Sequence, residues 1–483
     1  MLNISHQCDY LWCKGPCRPV LCAQLFYQIS IFKNRTMSNP AKPNTNLLLK
    51  QSHTNMPMGV ADSYRYWGED NTVFVKTSEG CTITDADDQT YVDFRLAYGP
   101  IILGYRDTRI DQAVIKGITE RGTISGFSSD LDSEVIELVK QMCPNIEKMR
   151  FANSGTEAVI GAVRTARGFT GRNKIVVVEG GFHGLYDEMM WKSDVDNWDA
   201  ESGNPPEIAS FGVGIPEGSR EHLETVPLNS FEAIDAVFAR VGHDIAAIVI
   251  EPILGNCGSI ASSQEYMQKL RDMCDANGTL LIMDEVKTGF RVARGGAQEL
   301  YGIKADLTTY AKAMGNGYPV AAFGGRADVM DVINFNRKGV THGGTYTANI
   351  IALTAAKATL TVLNETDAYD TINRVGANIQ KVLSRVFTKH GIEHRFAGPD
   401  SMFGIHFGDI VPSNYRDWKQ TNSALYTEFA MSLIKHGIML EPDSREPWFI
   451  CESHQTIDLN WLEKIADRAM AEAIATEAIA TMP

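Results

Sequence analysis

A lone lysine after a strand-like segment is the residue with the clearest chemical potential in this sequence. The β-branched run Leu307–Tyr310 predicts a strand, Lys312 follows it, and a Gly-Asn-Gly turn with Pro319 ends the segment. A lysine in an apolar neighbourhood loses hydration, which lowers its pKa and leaves a neutral amine that attacks carbonyl groups. The simpler interpretation is a surface lysine, because lysines are rarely buried.

A second segment has the composition of an anion-binding turn. Residues 148–152 predict a strand, and Ser154-Gly155-Thr156 lead from it into a predicted helix that Gly168 would end. Backbone N–H groups and the positive end of the helix dipole face outward at such a turn, and two hydroxyl groups stand beside them. The turn is therefore a candidate phosphate site. Ser154 could instead serve only as the N-cap of the helix.

Two acidic residues follow predicted strands in the same way as Lys312. Residues 245–250 lead to Glu251-Pro252, and residues 279–283 lead to Asp284-Glu285. Strands that alternate with helices through this region predict an α/β fold with a mainly parallel sheet, covered by helices on both faces. Ligands bind beyond the carboxyl ends of such strands, so Glu251, Asp284 and Lys312 are expected to meet there.

Composition and charge restrict the class of protein. The chain has 483 residues, of which 44% are hydrophobic and 22% charged, and its formal net charge is −14. The negative charge argues against nucleic acid or an anionic membrane as a partner. No apolar run reaches the roughly 18 residues of a membrane-spanning helix. The nine cysteines include no CxxC pair, so we expect no metal site and reduced thiols in the cytoplasm.

The order of the predicted elements suggests how the chain is divided. Residues 37–104 predict an N-terminal segment with an antiparallel meander, and residues 105–345 predict the large α/β domain. Residues 346–483 predict a small α+β domain that packs with the N-terminal segment. Within it we expect a strand over 396–407 and a helix over 421–436.

The first 36 residues differ in composition from the rest of the chain. They hold one acidic residue against four basic ones, and four of the nine cysteines. This pattern fits neither a signal peptide nor a transit peptide. We expect residues 1–36 to be an extension without a structural role, with Met37 as a natural start.

An ordered series of motifs now points to a known enzyme family. The motifs are Asn153-Ser154-Gly155-Thr156-Glu157-Ala158, Phe182-His183-Gly184, Glu251-Pro252, Asp284-Glu285-Val286, Thr288-Gly289-Phe290-Arg291 and Lys312. The series resembles the class III aminotransferases, which are fold type I enzymes of pyridoxal 5′-phosphate. Within them it is most similar to the glutamate-1-semialdehyde aminomutase branch. The similarity runs from about Val73 to the last predicted helix.

The resemblance implies a role for each of these residues. Lys312 would form the Schiff base with the cofactor and move a proton, and Asp284 would keep the pyridinium nitrogen protonated. Thr345 would reach the phosphate of a neighbouring subunit, which implies an obligate homodimer. The other implied cofactor contacts are Ser154, Gly155 and Thr156 at the phosphate, Phe182 and Val286 on the two ring faces, His183 as a supporting hydrogen-bonding group and Asn256 near the phenolic oxygen.

Four further residues are candidates for the substrate side of the pocket: Glu251, Arg65, Arg445 and Trp67. Arg445 is the first candidate for a bidentate clamp on a substrate carboxylate, and Arg65 is the second. Arg445 could instead form an ion pair with Glu446 or Glu441. Trp67 would give the pocket an apolar wall.

Departures from the aminomutase pattern bear on the reaction. The segment 59–67 retains only Arg65 of the expected N-terminal motif, and bulky residues 186–191 replace a serine- and glycine-rich gating loop. A mutase must retain its intermediate, so a missing gate favours release of a keto product. We therefore predict a ping-pong aminotransferase acting on an amino acid or amine with an apolar portion, such as a β- or ω-amino acid. The alternative is intramolecular transfer of the aminomutase type.

Overall fold

The computed structural model describes residues 42–199, 202, 204–336 and 338–480. The predicted extension, residues 1–36, lies outside these ranges. The strands of the described part are β1 (Val75–Glu79), β2 (Thr82–Asp85), β3 (Thr90–Asp93), β4 (Lys148–Ala152), β5 (Lys174–Val178), β6 (Trp191–Ser193), β7 (Ile208–Ser210), β8 (Leu223–Val226), β9 (Ile245–Ile250), β10 (Ile253–Leu254), β11 (Ile260–Ala261), β12 (Leu280–Asp284), β13 (Leu307–Tyr310), β14 (Ala321–Gly325), β15 (His394–Ala397), β16 (Met402–Phe407), β17 (Ile438–Met439) and β18 (Trp448–Phe449).

Helices connect most of these strands and close the chain. Those in the described ranges are α1 (Pro43–Ser52), α2 (Thr108–Arg121), α3 (Asp130–Met142), α4 (Gly155–Thr170), α5 (Phe231–Val241), α6 (Gln264–Asn277), α7 (Ala297–Tyr301), α8 (Ala327–Met330), α9 (Ile350–Glu365), α10 (Ala368–Lys389), α11 (Tyr415–Trp418), α12 (Ser423–Lys435) and α13 (Leu459–Ala480). None of these helices combines the length and the apolar character that a bilayer crossing requires.

The central sheet has seven strands in the order β4-β14-β13-β12-β9-β5-β8. The five strands from β13 to β8 run parallel to one another, whereas β14 is antiparallel to both of its neighbours. The predicted mainly parallel α/β sheet is thus confirmed. Because β9, β12 and β13 are adjacent and parallel, Glu251, Asp284 and Lys312 lie at the same edge of the sheet.

Helices cover the central sheet on both faces, as its sequence requires. All six residues of β9, Ile-Ala-Ala-Ile-Val-Ile, are buried. Successive side chains of a strand point to opposite faces, so Val249 packs with α4 in one core cluster and Ile248 packs with α5 and α6 in another. A strand with two apolar faces is stable only between two helical layers.

A smaller sheet joins the two ends of the described chain. Its order is β1-β2-β3-β17, and β17, from the C-terminal region, lies parallel to β3, with Ile438 opposite Val92. The N-terminal meander therefore packs with the C-terminal region, as the sequence suggests. The domain limits at residues 104 and 345 remain predictions.

Two predicted boundaries are wrong for identifiable reasons. Helix α4 continues past Gly168 and ends at Thr170, with Gly171 in the left-handed region at φ +70°. Gly168 serves packing instead, because a side chain there would collide with Val340. The predicted single strand over 396–407 is a hairpin of β15 and β16.

Candidate active site

Lys312 lies two residues beyond the end of β13, at the carboxyl edge of the central sheet. Its backbone has a φ of +47°, a left-handed conformation that a lysine adopts only under strain, and such strain concentrates at functional sites. Burial lowers the pKa of the amine to about 7, and the charge of Lys287 acts in the same direction. Glu446, Glu251 and Asp284 oppose this shift. At neutral pH a large fraction of the amine is therefore unprotonated and nucleophilic.

Asp284 ends β12 and is held by three neighbours. Its Oδ1 accepts hydrogen bonds from Thr309 Oγ1 at 2.8 Å and from the Val286 N–H at 3.1 Å. Its Oδ2 lies 2.8 Å from His183 Nδ1. The carboxylate is only 2% exposed, so its orientation is fixed in advance. The structure thus places His183 against Asp284, as a supporting group for the carboxylate.

The turn before α4 has the geometry of an anion cradle. Ser154 caps the helix, since its hydroxyl accepts a hydrogen bond from the Glu157 N–H at 3.2 Å. Within the described residues, the N–H groups of Gly155 and Thr156 donate to no protein acceptor. Both roles weighed for this turn are therefore compatible, because the cap leaves two amides for a phosphate.

The two residues expected on the ring faces lie beside this cradle and beside Glu251. A side chain at Gly155 would come within 3.0 Å of Val286 Cγ1, so the glycine lets Val286 approach the turn. The Phe182 N–H donates to Glu251 Oε1 at 2.8 Å. Burial raises the pKa of Glu251. Val286, Asp284, His183, Phe182 and Glu251 thus form a continuous wall around the strand ends.

Arg65 and Trp67 lie in different surroundings. Arg65 is exposed and pairs with Asp62. Trp67 is buried in a small core cluster with Ile83, Tyr91 and Met439, and the Arg95 guanidinium lies 4.9 Å from its ring. The structure therefore gives Trp67 a packing environment, whereas Arg65 has a side chain that a ligand can reach.

Arg445 is buried and engaged by protein partners. Its guanidinium forms a bidentate pair with Asp443, in which Nη2 donates to Oδ2 at 2.6 Å and Nε to Oδ1 at 3.1 Å. It also lies 3.4 Å from Asp196 and 3.1 Å from the Tyr415 hydroxyl. The expected alternative of a surface pair with Glu446 or Glu441 is replaced by this buried pair. The Nε and Nη2 groups that would clamp a carboxylate side-on are thus already used by Asp443.

We expect the substitution Arg445→Ala to destabilise the fold rather than to weaken substrate binding alone. Removing one partner of a buried ion pair costs about 3–5 kcal/mol, because the other charge stays buried. Urea unfolding would measure the loss. The matched variant Arg65→Ala should change the free energy of unfolding by less than about 1 kcal/mol, since exposed pairs are weak. An Arg445→Ala enzyme of parental stability with a raised KM for carboxylate substrates would contradict this expectation.

Thr345 lies on the surface of the single chain. It is exposed, as is its neighbour Tyr346, whose side chain is 68% exposed. Helix α2, which packs against α9, also exposes Ile115 and Ile118. Thr345 is therefore not buried within its own chain. Its contact with the phosphate of a neighbouring subunit stays a prediction.

Two charged residues of the site were not predicted. Lys287 Nζ pairs with Glu446 at 2.9 Å, and both charges act on Lys312. From the sequence, Glu446 is expected only as an alternative ion-pair partner of Arg445. Lys287 directly follows the Asp284-Glu285-Val286 motif, and this position is the sequence feature that could have identified it as a residue of the site. Glu285 and Arg291 hold backbone groups, because Glu285 accepts from the Ala297 N–H and Arg291 donates to the Ile450 carbonyl oxygen.

Comparison with known proteins decides the family. A family model described as aminotransferase class-III matches residues 64–461. The chain belongs to the class III aminotransferases. It is 38% identical over 412 residues to a glutamate-1-semialdehyde 2,1-aminomutase 2 of Bacillus pumilus, an alignment that covers 84% of this chain and 93% of that protein.

Solved structures of class III enzymes share the fold. An omega-transaminase from Sphaerobacter thermophilus superposes with a TM-score of 0.83 at 27% identity, covering 90% of this chain and 98% of that one. The PLP internal aldimine form of the FumI protein from Sphingopyxis sp. MTA144 superposes with a TM-score of 0.77 at 26% identity, covering 91% and 98%. These comparisons confirm the fold type and pyridoxal phosphate as the cofactor.

The residues at the strand ends fit this cofactor. The Lys312 side chain makes no hydrogen bond to another described residue, and its amine has a lowered pKa, as a Schiff-base lysine requires. The free amides of Gly155 and Thr156 match a phosphate. No group of three or more His, Cys, Asp or Glu side chains in the described ranges could hold a metal ion.

Proposed function

We propose that this class III enzyme moves an amino group within one small carboxylate substrate, in the manner of an aminomutase. The observation that carries the proposal is the 38% identity to a glutamate-1-semialdehyde 2,1-aminomutase across 93% of that protein. The comparison thus favours the alternative of the two reactions considered from the sequence.

Each of the described site residues would have a separate role in this reaction. When bound, pyridoxal phosphate supplies an aldehyde for amine exchange and a ring that withdraws electrons from the substrate carbon. Lys312 would provide the neutral amine that holds the cofactor and would then carry a proton between neighbouring atoms. Asp284, oriented by Thr309 and His183, would hold the proton on the ring nitrogen. The amides of Gly155 and Thr156 would bind the phosphate.

A covering hairpin beside Phe182 supports retention of the substrate. Strands β6 and β7 pair with each other, and Lys192 of β6 lies 4.9 Å from the centre of the Phe182 ring. Lys419 Nζ donates to the carbonyl oxygens of Val195, Asp196 and Trp198 at 2.8–3.0 Å. Although residues 186–191 lack the serine and glycine residues of a flexible gate, the contact between Lys192 and Phe182 brings β6 beside the site, where the hairpin would slow release of a bound intermediate.

Transamination to a separate acceptor is the second candidate. It is favoured by the bulky residues at 186–191 and by the 27% identity to an omega-transaminase of the same fold. Its substrate would be an amino acid or amine with an apolar portion. The same residues would act in both reactions, which differ only in whether the keto compound leaves.

We infer that Arg65 binds the substrate carboxylate. Displacing its exposed partner Asp62 would cost less than about 1 kcal/mol, whereas freeing Arg445 from buried Asp443 would cost several kcal/mol. Glu251 would face the substrate side.

We also infer a homodimer. The exposed Thr345, Tyr346, Ile115 and Ile118 form a surface that a second copy would cover, since exposed apolar groups mark interfaces. The five described cysteines are free and buried, which suits a reducing cytoplasm.

The number of turnovers with one substrate tests the proposal. Loaded enzyme given glutamate-1-semialdehyde alone should form many equivalents of the isomeric amino ketone per site, because the amino group returns to the same carbon skeleton. A transaminase would instead release the dicarbonyl compound from one molecule and form the diamine from another, because the substrate aldehyde also accepts an amino group in ping-pong exchange. Product quantified by mass spectrometry measures this ratio. Borohydride-treated enzyme is the control. Dicarbonyl and diamine products would contradict the proposal in favour of transamination, and absence of any product would contradict both reactions.

A further inference from the structure

A second lysine lies beside Lys312 and is held by three acceptors. Lys287 is 6% exposed. Its Nζ donates to the Gly255 carbonyl oxygen at 2.6 Å and to Asn256 Oδ1, and it pairs with Glu446 Oε2 at 2.9 Å. An ammonium group has three N–H donors, so all of them are used and the group has one defined position.

Gly255 is the residue that makes room for this lysine. A side chain at Gly255 would collide with Lys287 Cδ and would come within 3.0 Å of Glu251 Oε2. The glycine N–H also donates to Glu251 Oε2 at 3.2 Å. The backbone after the Glu251-Pro252 pair is therefore shaped to hold both the lysine stem and the glutamate.

The contact with Lys287 determines which way the Asn256 side chain points. A lysine ammonium only donates hydrogen bonds, so Asn256 must present its oxygen to Lys287. Its NH₂ group is thereby turned away from the lysine, and it donates to no acceptor among the described residues. Since Asn256 is the residue expected near the cofactor's phenolic oxygen, the free NH₂ is the correct donor for an oxygen that carries negative charge.

We propose that Lys287 is a positioning residue, which turns the Asn256 amide toward the cofactor and sets the charge balance around Lys312. The proposal rests on the proposed function only for the cofactor's place at Lys312, and it applies equally to an aminomutase and to a transaminase.

The charges around Lys312 predict the direction in which each substitution should shift the pKa of its nitrogen. Lys287 lowers the pKa of the Lys312 amine, while Glu446, Glu251 and Asp284 raise it. Removing the charge of Lys287 removes a repulsion and leaves Glu446 without its partner, and both changes favour a proton on the Lys312 nitrogen. Removing the charge of Glu446 has the opposite effect. Opposite shifts cannot arise from general loosening of the site.

The test is a spectroscopic titration of the loaded enzyme, without turnover. Bound pyridoxal phosphate absorbs at about 420 nm when the lysine nitrogen is protonated and at shorter wavelength when it is not. We expect Lys287→Met to raise the midpoint pH by about one unit or more, and Glu446→Gln to lower it, as neighbouring charges do. Lys287→Arg keeps the positive charge and should leave the midpoint near the parental value.

A distant lysine provides the matched control, and each outcome is decisive. Lys269 on α6 pairs with Asp235 on α5 at 2.8 Å. Lys269→Met should therefore leave the midpoint pH of the titration unchanged. A parental midpoint in fully loaded Lys287→Met, or shifts of the same sign in the two variants, would overturn the inference. If Lys287→Met does not fold, the sign of the Glu446→Gln shift decides. A parent enzyme without a borohydride-sensitive band would instead refute the cofactor site on which the proposed function depends.

Discussion

Replacing Lys312 with alanine is expected to lower turnover by about 10³- to 10⁴-fold, the upper part of the range of about 10²- to 10⁴-fold that a positioned proton-transfer group supplies. The variant loses both the amine that holds the cofactor and the group that moves the proton. Its cofactor should therefore wash out on dialysis and should not be fixed by borohydride. Turnover per folded site and retained cofactor measure the two effects separately.

Two comparisons make the Lys312→Ala result specific. Lys304 is an exposed lysine just before β13, and Lys304→Ala should retain parental activity. A small primary amine in the buffer should restore part of the lost activity, since it replaces the missing proton carrier. Parental turnover in cofactor-saturated Lys312→Ala would refute the assignment.

The substitution Asp284→Asn should lower turnover by about 10²- to 10³-fold, with the cofactor still bound. Asparagine can keep the hydrogen bonds from Thr309 and Val286, whose acceptor is Oδ1. It lacks the negative charge that would hold a proton on the cofactor's ring nitrogen, so the electron-withdrawing capacity of the ring is lost. Turnover per loaded site is the measurement.

Asp306 offers the matched control for this charge removal. It is also a buried aspartate, located just before β13 and paired with Arg271 and Arg326. Asp306→Asn should lower stability but leave turnover per folded, loaded site near the parental value. An Asp284→Asn enzyme within about tenfold of the parent would show that the carboxylate is not required, since a general acid–base role is worth at least about 10²-fold.

The central sheet was predictable because its signals are local. Residues 148–152 and 245–250 were predicted as strands with the limits that the structure has. Each is a short apolar or β-branched run with polar residues or a helix signal on both sides. Helix α3 was not predicted, although Leu131, Val135 and Val139 have the spacing of a buried helical face.

The contacts of Lys287 could not be predicted, because they join segments that are distant in the sequence. Lys287 meets Asn256, 31 residues away, and Glu446, 159 residues away. Arg445 pairs with Asp443 because a local turn, in which the Arg445 N–H donates to Asp443 Oδ1 at 3.0 Å, brings the side chains together. Sequence alone gives the charges but not which neighbour each one selects.

The pairing of β3 with β17 has a consequence for biosynthesis. Arg95, just beyond β3, contacts Glu441, which is 346 residues later in the chain. While the ribosome is still making the central sheet, the meander has an open edge that offers unpaired N–H and C=O groups to other chains. Synthesis of the last tenth of the polypeptide is thus the step that shields this edge, and nascent chains stalled before it would be the ones most prone to aggregate.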